Sequence, residues 1–293
     1  MQTVGIVSPG AMGSAVGAAY RAGGNRVVAT VAGRSERTSG LAAQAGLELV
    51  ADLDAVVGES DLVLSIVPPD RALEAAAAIA AAAGRTGAVP LVADWNAVSP
   101  ATVRLLGETL SAAGLTLVDG SISGGPPRAD YRTRVYVSGP RAAELAGSAP
   151  DWIDARVVGE EIGLASAVKM CTASMYKGST ALLLHALATA HAHGVLAPVL
   201  DDLGDAFPRQ IERAGRQIAV SATKAERFVG EMHEIAATQQ SVGLTPDLFE
   251  AMATVYEALA QSPLAAAAPE AVPDEPELAA LLELVRASAG ERT

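Results

Sequence analysis

Residues 4–17 of the chain read VGIVSPGAMGSAVG. The apolar run from Val4 to Val7 predicts a short β-strand, Pro9 and Gly10 predict a tight turn, and the small residues from Ala11 onward predict a helix. The amide groups in the first turn of a helix have no partner within that helix. A strand, a turn and a helix in this order therefore predict a site that binds an anion.

The spacing of the small residues is that of a dinucleotide-binding turn. Gly10 and Gly13 occupy the second and third glycine positions of the pattern G-x-G-x-x-G, and Ser8 occupies the first. Glycine is required where a side chain would keep the backbone away from the pyrophosphate. The alternative is an ordinary strand-to-helix turn. If the pattern is functional, the residues that contact the cofactor here are Ser8, Pro9, Gly10, Ala11, Met12 and Gly13.

The composition indicates the class of protein. A chain of 293 residues, 50% apolar and 18% charged, is long enough for two domains and a large core. Its net charge of −12 argues against nucleic-acid binding, although a local basic pocket could still take an anionic substrate. With Cys171 as the single cysteine, we expect no disulfide and no metal site. We see no signal peptide or membrane span, and expect a cytoplasmic protein without a membrane partner.

Apolar strands and helices alternate up to about residue 160. The predicted strands after the first cover residues 26–31, 47–50, 61–67, 90–93, 115–118, 135–139 and 155–158. Strands that alternate with helices are joined by right-handed crossovers and form a parallel sheet. The sequence therefore predicts an α/β Rossmann domain with a doubly wound, mostly parallel sheet over residues 1–160.

From Gly163 onward only helices are predicted. They cover residues 163–192, 196–205, 207–222, 224–242, 246–260 and 277–288. Thr245 and Pro246 form a good start for one of these helices, and Gly194 and Gly243 are plausible helix ends. Residues 161–293 are therefore expected to form an all-α domain.

The end of the second strand bears on the form of the cofactor. In NAD sites an acidic residue at this place accepts hydrogen bonds from the adenosine ribose. This chain has the uncharged Ala32 and Gly33 there, and Arg34, Ser35 and Arg37 follow. Guanidinium and hydroxyl groups bind a 2′-phosphate well, so we expect NADP (NADPH) to be preferred over NAD. The alternative is a solvated basic turn.

Further candidate positions fall where the parallel strands end. Ligands of such sheets bind at the carboxyl ends of the strands. These ends carry Val67 and Pro68, then Asn96, and then residues 123–125 (SGG). We expect Val67, Pro68 and Asn96 to contact the cofactor.

Four segments match known motifs in the same order along the chain. Residues 8–13 (SPGAMG) match G-x-G-x-M-G except at Ser8, and residues 119–125 (DGSISGG) match D-A-P-V-S-G-G. Residues 163–169 (GLASAVK) match G-x-G-x-x-x-K with Ala165 at the second glycine. Residues 231–237 (EMHEIAA) lie where the fourth motif, a K-D-L-G-x-A helix, is expected, but they lack its lysine and aspartate. The chain thus resembles the β-hydroxyacid dehydrogenase superfamily, which includes 3-hydroxyisobutyrate and 6-phosphogluconate dehydrogenases, and most closely a phosphogluconate-dehydrogenase-like bacterial branch.

The resemblance implies an NADP(H)-dependent oxidoreductase that transfers hydride between the nicotinamide and a small polar hydroxyacid or carbonyl substrate. It implies that Lys169 is the general acid/base and that Ser123, Gly124 and Gly125 bind an anionic substrate. It also implies a homodimer formed through the helical domain, with the active site in the cleft between the two domains. A solvated helix lysine is the alternative for Lys169.

Departures from the motifs leave the substrate open. Ala173 stands where the superfamily has an asparagine, so Thr172 and Lys177 become candidate substrate-binding residues. Arginines that follow the Ser-Gly-Gly motif could bind the anion instead, and they are Arg128, Arg132 and Arg134. Glu231, His233 and Glu234 would suit a cationic or imine-like substrate.

Two other functions stay open. Imine reductases resemble the same two-domain architecture, but they usually carry Asp or Tyr in place of the family lysine, so Lys169 argues against this alternative. The second alternative is a non-catalytic module that binds NADP.

Overall fold

The computed structural model describes residues 2–290, and its strands form one eight-stranded sheet. In chain order, strands β1 to β8 are Thr3–Val7, Arg26–Ala29, Glu48–Leu49, Leu62–Ser65, Leu91–Asp94, Thr116–Ser123, Thr133–Ser138 and Ile153–Gly159. Their order across the sheet is β3-β2-β1-β4-β5-β6-β7-β8, and the pair β6–β7 alone among these is antiparallel. The predicted doubly wound, mostly parallel sheet is confirmed.

Helices connect the strands and then continue alone. Within residues 2–290, helices α1 to α13 are Ala11–Ala22, Glu36–Gln44, Leu53–Glu59, Ala72–Thr86, Pro100–Ala112, Ala142–Gly147, Leu164–Ala192, Leu196–Ala206, Pro208–Glu212, Ala214–Ala222, Ala225–Gln240, Asp247–Ala260 and Leu278–Gly290. Short 3₁₀ turns lie at Pro69–Arg71, Pro263–Ala266 and Pro269–Ala271. Since no strand follows β8 in the described part of the chain, the predicted helical C-terminal region is confirmed.

The chain divides into two compact units between Met170 and Cys171, inside α7. All eight described strands belong to the first unit. The predicted domain boundary between residues 160 and 161 falls in the loop after β8, and it stays a prediction. None of the described helices combines the length and the apolar character needed to span a lipid bilayer. The expected cytoplasmic location likewise remains a prediction.

Helices cover both faces of the sheet in the first unit. On one face, Ile6 and Leu64 pack in a cluster with Tyr20 of α1. On the other face, Val63 packs in a cluster with Ile79 of α4 and Leu106 of α5. Consecutive strand residues point to opposite faces, and both faces are buried here. The inner strands therefore read as continuous apolar runs rather than as alternating ones.

Strand β6 differs from its prediction in a way that matters for the site. We predicted a strand over residues 115–118, and its predicted end was wrong, because β6 continues to Ser123. The added residues pair with the antiparallel strand β7, where Asp119 lies opposite Ser138 and Ser123 lies opposite Arg134. Polar side chains therefore project at every second position of a rigid strand.

Candidate active site

The turn after β1 brings a helix end directly against the backbone of the strand. Gly10 is the N-cap of α1 and supplies no side-chain cap to its first amides. A Cβ on Gly13 would lie 2.3 Å from the carbonyl oxygen of Ser8, so this position requires glycine. The Ser14 hydroxyl donates to the carbonyl of Pro9 at 2.6 Å and fixes the turn. Uncapped amides on a rigid turn fit the pyrophosphate of a dinucleotide.

Ser8 adopts a conformation that favours glycine. Its φ is +71°, in the left-handed region, at the position where the glycine pattern has its first glycine. A residue with a Cβ costs about 1–2 kcal/mol there. Strain of this kind is found at ligand sites, where the surrounding structure imposes it. The sequence shows Ser8 as a departure from the pattern, and the structure shows that the backbone still follows it.

A cavity of about 250 Å³ lies beside this turn, at the carboxyl ends of β1, β2 and β4. Four of the predicted cofactor residues line it, namely Ser8, Arg34, Val67 and Pro68. Asp52 and Arg71 also line it, although no cofactor-binding motif indicated either residue. Asp52 is the N-cap of α3, a role that the motif D-L-D before an apolar run could have signalled.

The charged groups along the cavity differ in how they are paired. Arg71 is ion-paired with Glu74 at 2.7 Å, whereas Arg34 has no ion-pair partner within residues 2–290. Ser35 is the N-cap of α2 and accepts a backbone hydrogen bond, and Arg37 does not line the cavity. Arg34 is thus the cation that stays available to an anion on this wall.

Asn96 is buried, and its amide is used inside the protein. Its Oδ1 accepts a hydrogen bond from the amide of Val67 at 2.6 Å. Its Nδ2 donates to Asp94 at 2.6 Å and to the Ser65 hydroxyl at 3.2 Å. The side chain therefore holds the turn that carries Val67 and Pro68, and direct contact of Asn96 with a cofactor stays a prediction.

Asp94 sits at the end of β5 and is fully buried. Burial raises the pKa of its carboxyl to about 7, the negative charge of Asp119 adds to this effect, and hydrogen bonds from Asn96 and Ser65 oppose it. A buried carboxyl that changes charge near neutral pH is thus connected, through Asn96, to the turn of Val67 and Pro68 that lines the cavity.

The carboxylate of Asp119 fixes the start of α7. Its oxygens accept four hydrogen bonds, from the Ser138 hydroxyl at 2.8 Å, the Gly163 amide at 2.9 Å, and the Ser166 amide and hydroxyl at 3.1 and 2.7 Å. The Ser121 hydroxyl, on the same face of β6, donates to the carbonyl of Ala165 at 2.9 Å. A carboxylate at the N-terminus of a helix also interacts favourably with the helix dipole.

This anchorage brings Lys169 to the end of β6. The Lys169 ammonium donates a hydrogen bond to the carbonyl of Ile122 at 2.7 Å, and Ile122 precedes Ser123. Gly124 and Gly125 follow in an exposed loop, and their amides have no acceptor within residues 2–290. The structure thus brings together Lys169 and the Ser-Gly-Gly segment, which the sequence had named separately.

In the second unit, Lys177 was a candidate for binding an anionic substrate and Glu231 for binding a cationic one, and the two side chains bind each other. The Lys177 ammonium is ion-paired with Glu231, whose side chain is 4% exposed, and it lies 4.7 Å from the centre of the Phe228 ring. Arg227 approaches the other oxygen of Glu231 at 3.4 Å. Each oxygen of the buried Glu231 carboxylate therefore has a cationic partner. Thr172 is half-buried, and its role in substrate binding stays a prediction.

The remaining charged candidates for substrate binding are mostly exposed or paired with a nearby charge. Arg134 is ion-paired with Asp154 at 3.6 Å, and Arg128 with Asp130 at 3.1 Å. Arg132 is exposed. Glu234 is half-buried, and His233 lies 2.8 Å from Glu250 on the surface. Over residues 2–290 no group of three or more His, Cys, Asp or Glu side chains is arranged to hold a metal ion.

Known families match both parts of the chain. Residues 3–146 match the NAD binding domain of 6-phosphogluconate dehydrogenase, and residues 190–259 match the domain of unknown function DUF1932. An uncharacterized 28.5 kDa protein of Methanothermus fervidus is 25% identical over 228 residues, which cover 78% of this chain and 87% of that protein.

Two solved structures share the architecture along nearly the whole chain. A conserved hypothetical protein from Sinorhizobium meliloti is 25% identical with a TM-score of 0.67, covering 98% of this chain and 97% of that one. The 3-hydroxyisobutyrate dehydrogenase of Mycobacterium tuberculosis, solved with L-serine, is 17% identical with a TM-score of 0.69, covering 98% and 99%. At this identity the second likeness shows the fold.

We predict that Asp94 makes stability depend on pH. The unfolded chain loses this proton near pH 4, whereas the folded chain keeps it up to about pH 7. The contribution of Asp94 to the free energy of unfolding is therefore complete below pH 4 and is lost as the pH rises to 7. The total loss is at most roughly 4 kcal/mol. Asp94→Asn should flatten this part of the profile in denaturant unfolding between pH 4 and 8. Asp151→Asn, at an exposed carboxylate, is the control, and an unchanged slope in Asp94→Asn would contradict the prediction.

Proposed function

The chain belongs to the β-hydroxyacid dehydrogenase-like superfamily, and from this premise we propose that it is an NADP(H)-dependent oxidoreductase acting on a small, anionic hydroxyacid or carbonyl compound. The observation that carries the proposal is the hydrogen bond between the Lys169 ammonium and the Ile122 carbonyl. It holds a proton-carrying group beside Ser123 and beside two amides that have no acceptor among the described residues, in the same unit as the dinucleotide cavity.

The cofactor residues fit a dinucleotide by their own geometry. The Gly10 turn and the first amides of α1 would hold the pyrophosphate. The cavity lined by Arg34, Val67 and Pro68 would take the adenosine half. When bound, the nicotinamide supplies or accepts a hydride. Asn96 contributes by holding the turn of Val67 rather than by its own free polar atoms.

Lys169 would move the proton that accompanies the hydride. Oxidation of a hydroxyl group requires a base for its proton, and reduction of a carbonyl requires an acid at the same place. A substrate oxygen could replace the Ile122 carbonyl as the partner of the Lys169 ammonium. Ser123 and the amides of Gly124 and Gly125 would hold the substrate's anionic group, because unoccupied backbone amides favour negative charge.

We predict that Lys169→Ala lowers turnover by about 10²–10⁴-fold, which is the usual contribution of a general acid/base. NADPH binding, measured by fluorescence titration, should stay within about twofold, because Lys169 is assigned to the substrate and not to the cofactor. Turnover would be assayed with hydroxyacids, aldehydes, phosphonates and cyclic imines. Lys224→Ala, at a lysine in the second unit, is the matched control.

The outcomes separate the competing functions. Turnover that survives in Lys169→Ala would remove the proposed mechanism. Turnover confined to cyclic imines would favour an imine reductase. NADPH binding with no turnover in the wild type would favour the non-catalytic binding module.

The proposed preference for NADP rests on Arg34, a cation of the cavity wall with no ion-pair partner in the described part of the chain. We predict that Arg34→Ala weakens NADPH binding by about 10–100-fold, which corresponds to the loss of one charge-assisted contact, and leaves NADH binding within about twofold. Both affinities would be measured by fluorescence titration. Arg141→Ala, at an exposed arginine paired with Glu144, is the control. Equal losses for the two cofactors would contradict a 2′-phosphate contact.

The proposed homodimer would form through the second unit. On α7 the exposed residues Cys171, Met175, Leu182 and Ala186 recur at helical spacing and share one face. Met175 is 70% exposed and Leu182 is 67% exposed. None of the residues of the amphipathic helix α8 is buried. Apolar faces of this kind mark contacts with another chain, and a second copy of this chain is the occupant we propose.

We predict that Leu182→Lys shifts the protein from dimer to monomer, because an ammonium group would be buried in the apolar contact. Light scattering after size-exclusion chromatography would measure the mass. Leu105→Lys is the matched control, since Leu105 is 49% exposed on α5 of the first unit. A monomeric wild type, or a Leu182→Lys variant that stays dimeric, would disprove this interface.

A further inference from the structure

The loop after the Ser-Gly-Gly segment is closed on itself. Arg128 and Tyr131 exchange two backbone hydrogen bonds, of 3.1 and 3.0 Å, across a tight turn. The Arg128 guanidinium lies 5.6 Å from the centre of the Tyr131 ring and is also paired with Asp130. At the base of the loop, the Thr133 hydroxyl donates to the carbonyl of Gly125 at 2.7 Å. These contacts give Tyr131 a defined position in an otherwise exposed segment.

The Tyr131 phenol lies against the two glycines of the Ser-Gly-Gly segment. A Cβ on Gly124 would lie 2.6 Å from the Tyr131 hydroxyl oxygen, and one on Gly125 would lie 3.9 Å from its ring carbon Cε1. Gly124 also has a φ of +139°, a backbone conformation that favours glycine, and the missing Cβ leaves room for the phenol. The phenol hydroxyl therefore lies close to the Gly124 backbone and its unoccupied amide.

The hydrogen-bonding groups of the Ser-Gly-Gly segment and of Tyr131 are mostly donors. The amides of Gly124 and Gly125 can only donate, and the Ser123 and Tyr131 hydroxyls can donate. No carboxylate other than the exposed Asp130, which is paired with Arg128, lies in residues 121–133. Several donors within one short segment, with no unpaired carboxylate beside them in residues 121–133, suit the oxygens of a carboxylate or of a similar oxyanion.

We propose that Tyr131 is a substrate-binding residue, and that its hydroxyl donates a hydrogen bond to the substrate carboxylate held by the amides of Gly124 and Gly125. The inference rests on the proposed function, in which the Ser-Gly-Gly segment binds the anionic part of the substrate. It adds a donor that the segment itself lacks. Tyr131 acts on binding and takes no part in proton transfer, which is assigned to Lys169.

The test measures binding of a carboxylate probe by the whole chain. Malonate is titrated calorimetrically into the full-length protein saturated with NADP⁺, and the neutral analogue malonamide is titrated in parallel. Tyr131→Phe keeps the ring and its contact with Arg128 but removes the hydroxyl. Malonate affinity should fall about tenfold, as expected for the loss of one hydrogen bond to a charged group. Malonamide should bind the wild type and Tyr131→Phe equally weakly.

The control is Tyr176→Phe, which removes the phenol hydroxyl of a residue that is 71% exposed in the second unit. Its malonate affinity should equal that of the wild type. With a hydroxyacid substrate found in the turnover screen, Tyr131→Phe should raise KM about tenfold and leave kcat within twofold. A purely structural change would instead lower both the unfolding temperature and kcat.

The results distinguish this inference from the proposed function. Malonate binding that depends on Tyr131, in a protein without turnover, would support the inference and contradict the proposed reaction. A Tyr131→Phe variant with wild-type malonate affinity would overturn the inference, even if turnover depends on Lys169. A wild type that does not bind malonate would overturn it as well.

Discussion

The carboxylate of Asp119 is the constraint on which the candidate site depends. It is completely buried at the point where β6 leaves its parallel neighbour β5. Both of its oxygens are occupied by hydroxyl and amide groups of β7 and of the first turn of α7. A buried charge is tolerated only when it is compensated in this way. Because Lys169 is one helical turn after Ser166, fixing that first turn fixes where the ammonium group can reach.

Much of this arrangement could be predicted from local sequence. The glycine turn, the continuous apolar strands and the long helix follow from periodicity and from residue types that tolerate only certain backbone conformations. Lys169 and the Ser-Gly-Gly segment were found as separate motifs. Their contact was not predictable, because it depends on β6 continuing to Ser123 through pairing with β7, and such pairing joins residues that are distant in the chain.

The charged residues of the second unit show a different limit. Lys177 and Glu231 are 54 positions apart, and each taken alone indicated a ligand of opposite charge. A sequence reports the charge of a side chain but not which other charge lies beside it. Asn96 and Tyr131 show the same limit for neutral groups. The amide of Asn96 is used within the protein, while the contact of the Tyr131 phenol with Gly124 and Gly125 depends on how the loop folds back.

The Lys177–Glu231 pair also restricts how this lineage can diverge. The superfamily motif has a lysine near the position of Glu231. A single change of Glu231 to lysine would place two ammonium groups together where the side chains of Lys177 and Glu231 are only 13% and 4% exposed. Removing one partner of a buried pair costs about 3–5 kcal/mol, and a like charge would cost more. Most proteins are only about 5–15 kcal/mol stable. The two positions are therefore epistatic, because the effect of a lysine at position 231 depends on whether Lys177 is still present.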